Sequence, residues 1–254
     1  MIPLLDMKVT LLQQDIVWAD PASNRKAAQA AIEANSGSLL YILPEMWSTG
    51  FATLPEGVAE SDDSESLAWM KSMADSTGAA IAGSIAVHCS DGTYRNRFYF
   101  VKPGGEVSFY DKHHLFTYGG EHHRYAAGDK KVVVEWQGIR FRLIVCYDLR
   151  FPIWDRNNED YDALICVASW PTPRVEAWRI LLKARAVENQ CYVLGVNRTG
   201  DDPSCTYCGG TAFVDPYGNA QECPVGQVSA LTADLDMSAL SDFRTKFPVL
   251  KDRD

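Results

Sequence analysis

Residues 79–110, AAIAGSIAVHCSDGTYRNRFYFVKPGGEVSFY, determine the predicted fold class of this chain. They contain three β-rich runs, at positions 79–88, 94–101 and 106–110. The connecting sequences Asp91-Gly92 and Lys102-Pro103-Gly104-Gly105 are turn formers, and both are too short to hold a crossover helix. Asp91-Gly92 predicts a two-residue hairpin turn. The pattern therefore predicts an antiparallel meander within a mixed sheet, which excludes a doubly wound sheet.

On both sides of this meander, β-rich runs alternate with helical patterns, as is typical of an α/β protein. Further strands are predicted at positions 7–13, 38–43, 132–136, 140–145, 163–169, 191–196, 206–214 and 228–234. Helices are predicted at positions 24–34, 66–76 and 175–189. This set predicts an α/β fold in which two mixed sheets pack face to face between helix layers, within a single domain spanning residues 1–254.

Composition limits the possible partners. The 254 residues carry a net charge of −9 with scattered Lys and Arg, so neither nucleic acid nor an anionic membrane surface is an expected partner. No apolar run reaches the roughly 18 residues of a spanning helix, and residues 1–8 lack the features of an export signal. Seven cysteines without regular spacing indicate reduced thiols. We therefore expect a cytoplasmic protein.

Three residues at the ends of predicted strands are candidates for chemistry. Glu45 follows an apolar strand, where partial burial would suit a carboxylate to general base action. Lys112 ends the meander, where a fixed ammonium would stabilise negative charge on a carbonyl oxygen. Cys146 stands at a strand-to-helix turn, which exposes the sulfur and aims backbone N–H groups at it, lowering the thiol pKa.

Each of these residues alone has an ordinary explanation. They are, in order, a solvated acid at a strand end, a surface lysine and a buried structural cysteine. If the three strand ends meet at one edge of the sheet sandwich, however, the acid, the lysine and the cysteine form a working thiol site.

The sequences around these residues resemble those of the nitrilase, or carbon–nitrogen hydrolase, superfamily. The matching segments occur in the order Leu43-Pro44-Glu45-Met46, Tyr110-Asp111-Lys112-His113-His114-Leu115-Phe116 and Cys146-Tyr147-Asp148-Leu149-Arg150-Phe151-Pro152. Further matches lie at positions 11–15, 128–129 and 184–190. The resemblance covers nearly the whole chain.

The resemblance implies a four-layer α-β-β-α sandwich that pairs as a homodimer or higher homo-oligomer. It implies that Glu45, Lys112 and Cys146 are catalytic, and that Glu121 in Gly119-Gly120-Glu121 supports the site. Within the superfamily, the compact length and the tract at positions 168–178 are most similar to the omega-amidases. These enzymes hydrolyse the terminal amide of short dicarboxylic acid monoamides such as 2-oxoglutaramate.

The expected mechanism follows from the chemistry of these residues. Glu45 takes the thiol proton while Cys146 attacks the amide carbon, and Lys112 with the backbone N–H of Tyr147 stabilises the oxyanion. Ammonia leaves, and water then releases the acid from a thioester on Cys146. No metal or organic cofactor has a role.

The substrate pocket is expected to combine a cation with aromatic walls. Arg174, if it lies beside Cys146, would pair with a substrate carboxylate. The expected walls are Trp47, Phe51, Phe116 and Trp170. The alternative for Arg174 is that it flanks the helix starting near Val175 and faces solvent.

Other functions remain open at this stage. The histidine pairs at 113–114 and 122–123, with Cys205 and Cys208, raise a zinc site, but adjacent histidines point in different directions and the C-x-x-C lacks a second pair. The same two cysteines lack the βα context of a redox dithiol. Another superfamily amidase, a carbamoyl-amide hydrolase and a non-enzymatic binding module are the remaining alternatives, the last disfavoured because all three catalytic residue types are present.

Overall fold

The computed structural model describes residues 6–253. Its strands are β1 (Met7–Gln13), β2 (Leu40–Ile42), β3 (Glu60–Ser61), β4 (Ala80–His88), β5 (Tyr94–Val101), β6 (Val107–Asp111), β7 (Val133–Trp136), β8 (Ile139–Val145), β9 (Ala163–Ala168), β10 (Tyr192–Asn197), β11 (Thr199–Asp201), β12 (Thr206–Cys208), β13 (Ala212–Val214), β14 (Ala220–Glu222) and β15 (Ser229–Leu235). Its α-helices are α1 (Pro21–Ala34), α2 (Glu65–Thr77), α3 (Pro152–Asp155), α4 (Val175–Asn189) and α5 (Met237–Lys246). Short 3-10 helices lie at Thr117–Gly119, Glu121–His123, Cys146–Arg150, Thr172–Arg174 and Val249–Asp252.

The strands form two large mixed sheets and one hairpin. The first sheet has the order β15-β1-β2-β4-β5-β6, with β3 paired to β4 off this path. Its β1, β2 and β4 are parallel, whereas β4, β5 and β6 form the predicted antiparallel meander. The second sheet has the order β14-β13-β10-β9-β8-β7 and contains the parallel strands β8, β9 and β10. Strands β11 and β12 form a separate two-stranded hairpin.

The buried side chains divide the fold into four layers. One apolar cluster joins the facing sides of the two sheets, and it includes Val9 and Leu11 of β1 and Leu143 of β8. A second cluster contains Leu12 and packs the other face of the first sheet against α1 and α2. A third packs the second sheet against α4 through Trp178 and Leu182. Alternate residues of a strand point to opposite faces, so β1 contributes to two clusters. The predicted α-β-β-α sandwich is confirmed.

Local sequence signals explain where the helices begin and end. The carboxylate of Asp20 accepts a hydrogen bond from Ser23 N at 3.0 Å and caps α1, with Pro21 as the first helical residue. The Ser64 hydroxyl caps α2 by accepting from Leu67 N at 3.1 Å, and Gly78 ends that helix with a left-handed φ of 68°. Each such N-cap contributes about 1 kcal/mol to helix stability.

Two predictions about local structure are wrong, and one helix was missed. The predicted strand at 206–214 is interrupted at Gly209 and Gly210, both with positive φ, so β12 and β13 belong to different sheets. The first hairpin loop spans residues 89–93 instead of a two-residue turn, because the last pair in the ladder is His88 with Tyr94. Helix α5 was not predicted, since only Met237 and Leu240 of its ten residues are buried and the apolar periodicity is weak.

The structure bears on two further expectations. All seven cysteines are free, and Cys89, Cys166, Cys191 and Cys223 are buried. Among residues 6–253, no helix combines the length and the apolar character needed to cross a membrane. The first five residues of the segment considered as an export signal lie outside the described residues.

Candidate active site

Glu45 lies three residues beyond β2 and is completely buried between the two sheets. Its Oε1 accepts a hydrogen bond from Lys112 Nζ at 2.9 Å, and its Oε2 accepts one from the backbone N–H of Ser169 at 2.8 Å. Ser169 follows β9 of the second sheet, so this carboxylate joins the ends of strands from both sheets. The geometry fixes the Glu45 side chain from two directions.

Lys112 directly follows β6 and is also completely buried at its ammonium. Its Nζ donates to Glu45 Oε1 and, at 2.9 Å, to Glu121 Oε2, and it lies 5.3 Å from the centre of the Phe51 ring. Burial alone would lower the pKa of Lys112, but the carboxylates of Glu121 and Glu45 outweigh it, and the net pKa is raised well above its ordinary value. The site therefore holds a permanent cation.

Glu121 belongs to a 3-10 helix and is completely buried beside Lys112. Its Oε2 also accepts a hydrogen bond from the backbone N–H of Phe116 at 2.6 Å. Burial raises the pKa of Glu121, the lysine opposes this rise, and the Glu45 carboxylate adds to it. One ammonium thus lies between two buried carboxyl groups.

Cys146 directly follows β8 and opens the 3-10 helix Cys146–Arg150. Its φ of 47° lies in the left-handed region, a strained conformation that turns the chain sharply at the strand end. Asp148 anchors this turn by accepting hydrogen bonds from Val145 N at 3.0 Å, His114 N at 2.8 Å and the Tyr110 hydroxyl at 2.7 Å. The sulfur is presented on a rigid turn.

The pKa of the Cys146 thiol is raised, which is opposite to the direction predicted from the turn. Burial raises it most, the Glu45 carboxylate raises it further, and Lys112 lowers it. The sequence predicted the helix start beside the sulfur but not the nearby Glu45 carboxylate. The negative charge of that carboxylate disfavours a thiolate. The resting sulfur is therefore protonated, and a proton acceptor is needed before it can attack.

A narrow cleft opens above Cys146, with a cavity volume of about 40 Å³. Its lining consists of Phe51, Phe116, Cys146, Tyr147, Arg150, Ser169, Trp170, Pro171, Arg174, Cys205 and Tyr207. Of the pocket residues expected from the sequence, Phe51, Phe116, Tyr147, Trp170 and Arg174 are in this lining.

Trp47 does not line the cleft, and its predicted role as a pocket wall is wrong. Its ring is completely buried in the cluster between the first sheet and its helices, 5.0 Å from the ring of Trp69. The positive φ of Met46 turns the chain, and the Trp47 N–H then bonds to Ser84 O at 3.1 Å in β4. This turn points the indole into the core.

Two cationic side chains lie in the cleft, one of them not expected from the sequence. The Arg174 guanidinium lies 5.5 Å from the Phe116 ring centre, so its side chain turns toward the cleft although its backbone caps α4. Arg150, which was not among the residues expected from the sequence, lies 4.8 Å from the Trp170 ring centre. Its place four residues after Cys146, about one helical turn, was the available signal. Within residues 6–253, neither guanidinium forms a salt bridge.

The histidines beside Lys112 have structural contacts. The ring of His113 stacks on Trp154 at 3.7 Å, and that of His114 stacks on Phe151 at 3.7 Å while its Nδ1 lies 2.9 Å from Asp148 Oδ1. In the part of the chain that the structure describes, no group of three or more His, Cys, Asp or Glu side chains is arranged to hold a metal ion.

A family model described as carbon–nitrogen hydrolase matches residues 8–245. The chain belongs to this family. It is 44% identical over 250 residues to a protein named omega-amidase YafV from Escherichia coli K12, covering 98% of this chain and 97% of that one. It is 34% identical over 250 residues to a 2-oxoglutaramate amidase of Bacillus subtilis, covering 96% of each.

The solved structures agree with this membership. The crystal structure of XC1258 from Xanthomonas campestris, described as a CN-hydrolase superfamily protein with an arsenic adduct in the active site, has a TM-score of 0.95 to this chain. The two are 40% identical, and 98% of each chain is covered. The four-layer fold and the predicted superfamily are therefore established, and the chain is a carbon–nitrogen hydrolase.

Proposed function

We propose that this carbon–nitrogen hydrolase is an amidase that removes ammonia from the terminal amide of short dicarboxylic acid monoamides, of the 2-oxoglutaramate or succinamate kind. The observation that carries the proposal is the cleft itself. A cysteine stands at its floor, unpaired guanidinium groups stand in its walls, and no Asp or Glu belongs to its described lining. Relatives named omega-amidase and 2-oxoglutaramate amidase support the same substrate class.

The chemical step that we propose starts with proton transfer from the Cys146 thiol to Glu45. The sulfur then attacks the amide carbon, and the oxyanion is stabilised by the Lys112 ammonium and the Tyr147 N–H, which lies in the first turn of a 3-10 helix. Glu45 passes its proton to the leaving ammonia. Glu45 next takes a proton from water, which attacks the thioester, and the released sulfur recovers its proton as the acid leaves.

Arg174 and Arg150 bind the far end of the substrate. A guanidinium held over an aromatic ring keeps its planar donors free for a carboxylate, which it binds in a bidentate manner. Phe116 and Trp170 provide those rings. The aromatic walls exclude water, so the charge pairing in the narrow cleft is weakly screened.

Ammonia release from succinamate and from butyramide tests this function, because the two amides have the same chain length and differ in the far carboxylate. Wild-type protein is expected to prefer succinamate, and Cys146→Ala serves as the blank. Arg174→Ala and Arg150→Ala should each lower kcat/KM for succinamate by roughly 10- to 150-fold while barely changing butyramide.

Arg25→Ala is the matched control, because Arg25 pairs with Glu65 on the surface at 2.6 Å, outside the cleft lining. A wild-type preference for butyramide would remove the dicarboxylate assignment and leave the amidase. Full activity in Cys146→Ser would remove the nucleophile assignment.

We also propose that the chain acts as a single domain, in the cytoplasm, as a homodimer. Seven free cysteines support a reducing compartment. A surface that we call the α4–α5 apolar patch supports self-association; it consists of Ile180, Val187, Tyr217, Phe243 and Phe247. Exposed apolar surface of this kind is typical of protein interfaces.

A further inference from the structure

Asn96 lies on β5 between the two carboxyl groups of the site and is 1% exposed. Its Nδ2 donates to Glu45 Oε1 at 2.8 Å and to Glu121 Oε1 at 3.1 Å. Its backbone carbonyl also accepts a hydrogen bond from the Lys112 N–H at 3.0 Å. Asn96, which was not among the residues expected from the sequence, therefore contacts both buried carboxylates through its side chain and the Lys112 backbone through its own carbonyl.

We propose that Asn96 is a positioning residue that holds Glu45 in its orientation toward Cys146 by donating one amide group to both buried carboxylates; this rests on the proposed base role of Glu45. Lys112 alone supplies one positive charge against two carboxyl groups. The Asn96 amide adds two N–H donors at the point where the carboxylates approach each other, and it brings no net charge. Hydrogen bonds to a carboxylate favour its charged form.

The orientation of the amide follows from its neighbours. Carboxylate oxygens only accept hydrogen bonds, so a flipped Asn96 would place its own oxygen against two acceptors. In the orientation found, Oδ1 is buried without a hydrogen-bond partner among the described residues. A buried polar atom without a hydrogen-bond partner destabilises the fold. The Asn96 amide nevertheless keeps its N–H donors toward the carboxylates, although this orientation leaves its oxygen unpaired.

The expected consequence is a change in pH dependence. The charged or titratable side chains that face Glu45 are Lys112, Glu121, Cys146 and Tyr125. The pKa values of Lys112, Cys146 and Tyr125 are all raised, so none of these three groups titrates on the acid side of neutrality. The acid limb of the pH–activity profile is therefore the limb that a change at the carboxyl cluster bridged by Asn96 would move. Loss of the Asn96 donors should move that limb to higher pH.

The test compares Asn96→Leu, which removes both donors at similar size, with Phe98→Leu. Phe98 is completely buried two residues further along the same face of β5, so its truncation perturbs the same strand without touching the carboxylates. For Asn96→Leu we expect kcat on succinamate to fall by about 10- to 100-fold, KM to change little, and the acid limb to move up by about one pH unit. Phe98→Leu should lower Tm and leave the limb in place.

Asn96→Asp keeps the shape of the side chain and replaces its N–H donors with an acceptor oxygen. It is the variant to measure if Asn96→Leu does not fold. Its acid limb should also move upward, because a third carboxyl group disfavours ionisation of the other two. An unmoved limb in the folded variant, or equal shifts in Phe98→Leu, would overturn the proposal.

Alkylation of Cys146 by iodoacetamide provides a readout that does not depend on the substrate. Its rate against pH should show the same upward shift in Asn96→Leu, since the sulfur reacts only after losing its proton. In Glu45→Gln the alkylation rate should no longer follow that limb, because the sulfur then loses its proton to solvent and not to Glu45. If Glu45→Gln reacts like wild type, the base role fails and the Asn96 proposal fails with it. A shift in alkylation without succinamate activity would support Asn96 and count against the proposed substrate alone.

Discussion

At the scale of single residues, the sequence identified the reactive groups but not the charge balance around them. Glu45, Lys112 and Cys146 stand out because each follows the end of a strand. The contact of Lys112 with two carboxyl groups depends on the loop that folds Glu121 back to it, and the position of Asn96 depends on strand pairing. The direction of the Cys146 pKa was missed for the same reason, because it is set by burial and by Glu45.

Replacing Lys112 by methionine should cost both activity and stability. Turnover is expected to fall by about 10²–10³-fold through loss of an oxyanion donor. Removing one member of a buried charged group also destabilises the fold by about 3–5 kcal/mol, because Glu45 and Glu121 lose their cation. A drop in activity of Lys112→Met could therefore come from unfolding as well as from the lost oxyanion donor. Ammonia release and thermal unfolding should be measured together.

The stability cost of Lys112→Met should also depend on pH. The folded-state pKa of Glu121 is already raised above its ordinary value of 4.5, and loss of the lysine raises it further. A carboxyl group whose pKa is higher in the folded than in the unfolded protein destabilises the fold once the pH exceeds the unfolded-state pKa. The stability cost of Lys112→Met is therefore largest near neutrality and shrinks as the pH falls toward 4.5. Lys102→Met is the control, since Lys102 pairs with the exposed Glu106. A Tm difference that stays constant between about pH 5 and pH 8 contradicts this prediction.

At the scale of elements, strand ends deliver the site and were the most predictable part of the fold. Alternating apolar residues predicted most strands to within one or two positions, and hairpin turns predicted the meander. Prediction failed where a special backbone conformation redirects the chain. Positive φ at Gly209 separates β12 from β13, and positive φ at Met46 turns Trp47 into the core. Such conformations are selected by tertiary contacts, which a single sequence does not display.

The contact between β4 and the turn after β2 should be sensitive to a single methyl group. A Cβ added to Gly83 would lie 2.8 Å from Leu43 Cβ and 2.9 Å from Trp47 Cδ1, in the segment that leads into and out of Glu45. Gly83→Ala should therefore cost about 1–3 kcal/mol and reduce kcat by displacing Glu45. Gly92→Ala adds a Cβ with nothing within 4 Å but at a φ of 81°, so it reports the cost of backbone strain without a steric contact. A wild-type denaturant midpoint and kcat in Gly83→Ala would disprove the tight contact.

At the scale of the whole molecule, the cleft is built from segments far apart in sequence. Phe51, Tyr147 and Arg174 each come from a different connection, and Tyr207 comes from the β11–β12 hairpin. The sequence predicted five of the aromatic and cationic lining residues by their proximity to the motifs, but Arg150 and Tyr207 required the packed sandwich. Substrate choice is thus a property of the assembled loops, whereas bond cleavage is a property of the strand ends.

Self-association through the α4–α5 apolar patch is the prediction that concerns the molecule as a unit. Ile180 and Val187 are 64% and 52% exposed and lie two helical turns apart on α4. A Cβ on Gly218 would lie 2.9 Å from Val187, so the turn that carries Tyr217 packs against this helix. The Tyr217 ring in turn contacts Phe243. Light scattering at micromolar concentration should give twice the 28.2 kDa mass of one chain.

Val187→Lys would bury an unpaired ammonium in such an interface and weaken association by roughly 100-fold or more, because about 3 kcal/mol is lost. Val225→Lys, at a 60% exposed site outside the patch, should leave the mass unchanged. A monomeric wild type, or equal behaviour of the two variants, would assign the patch to another role.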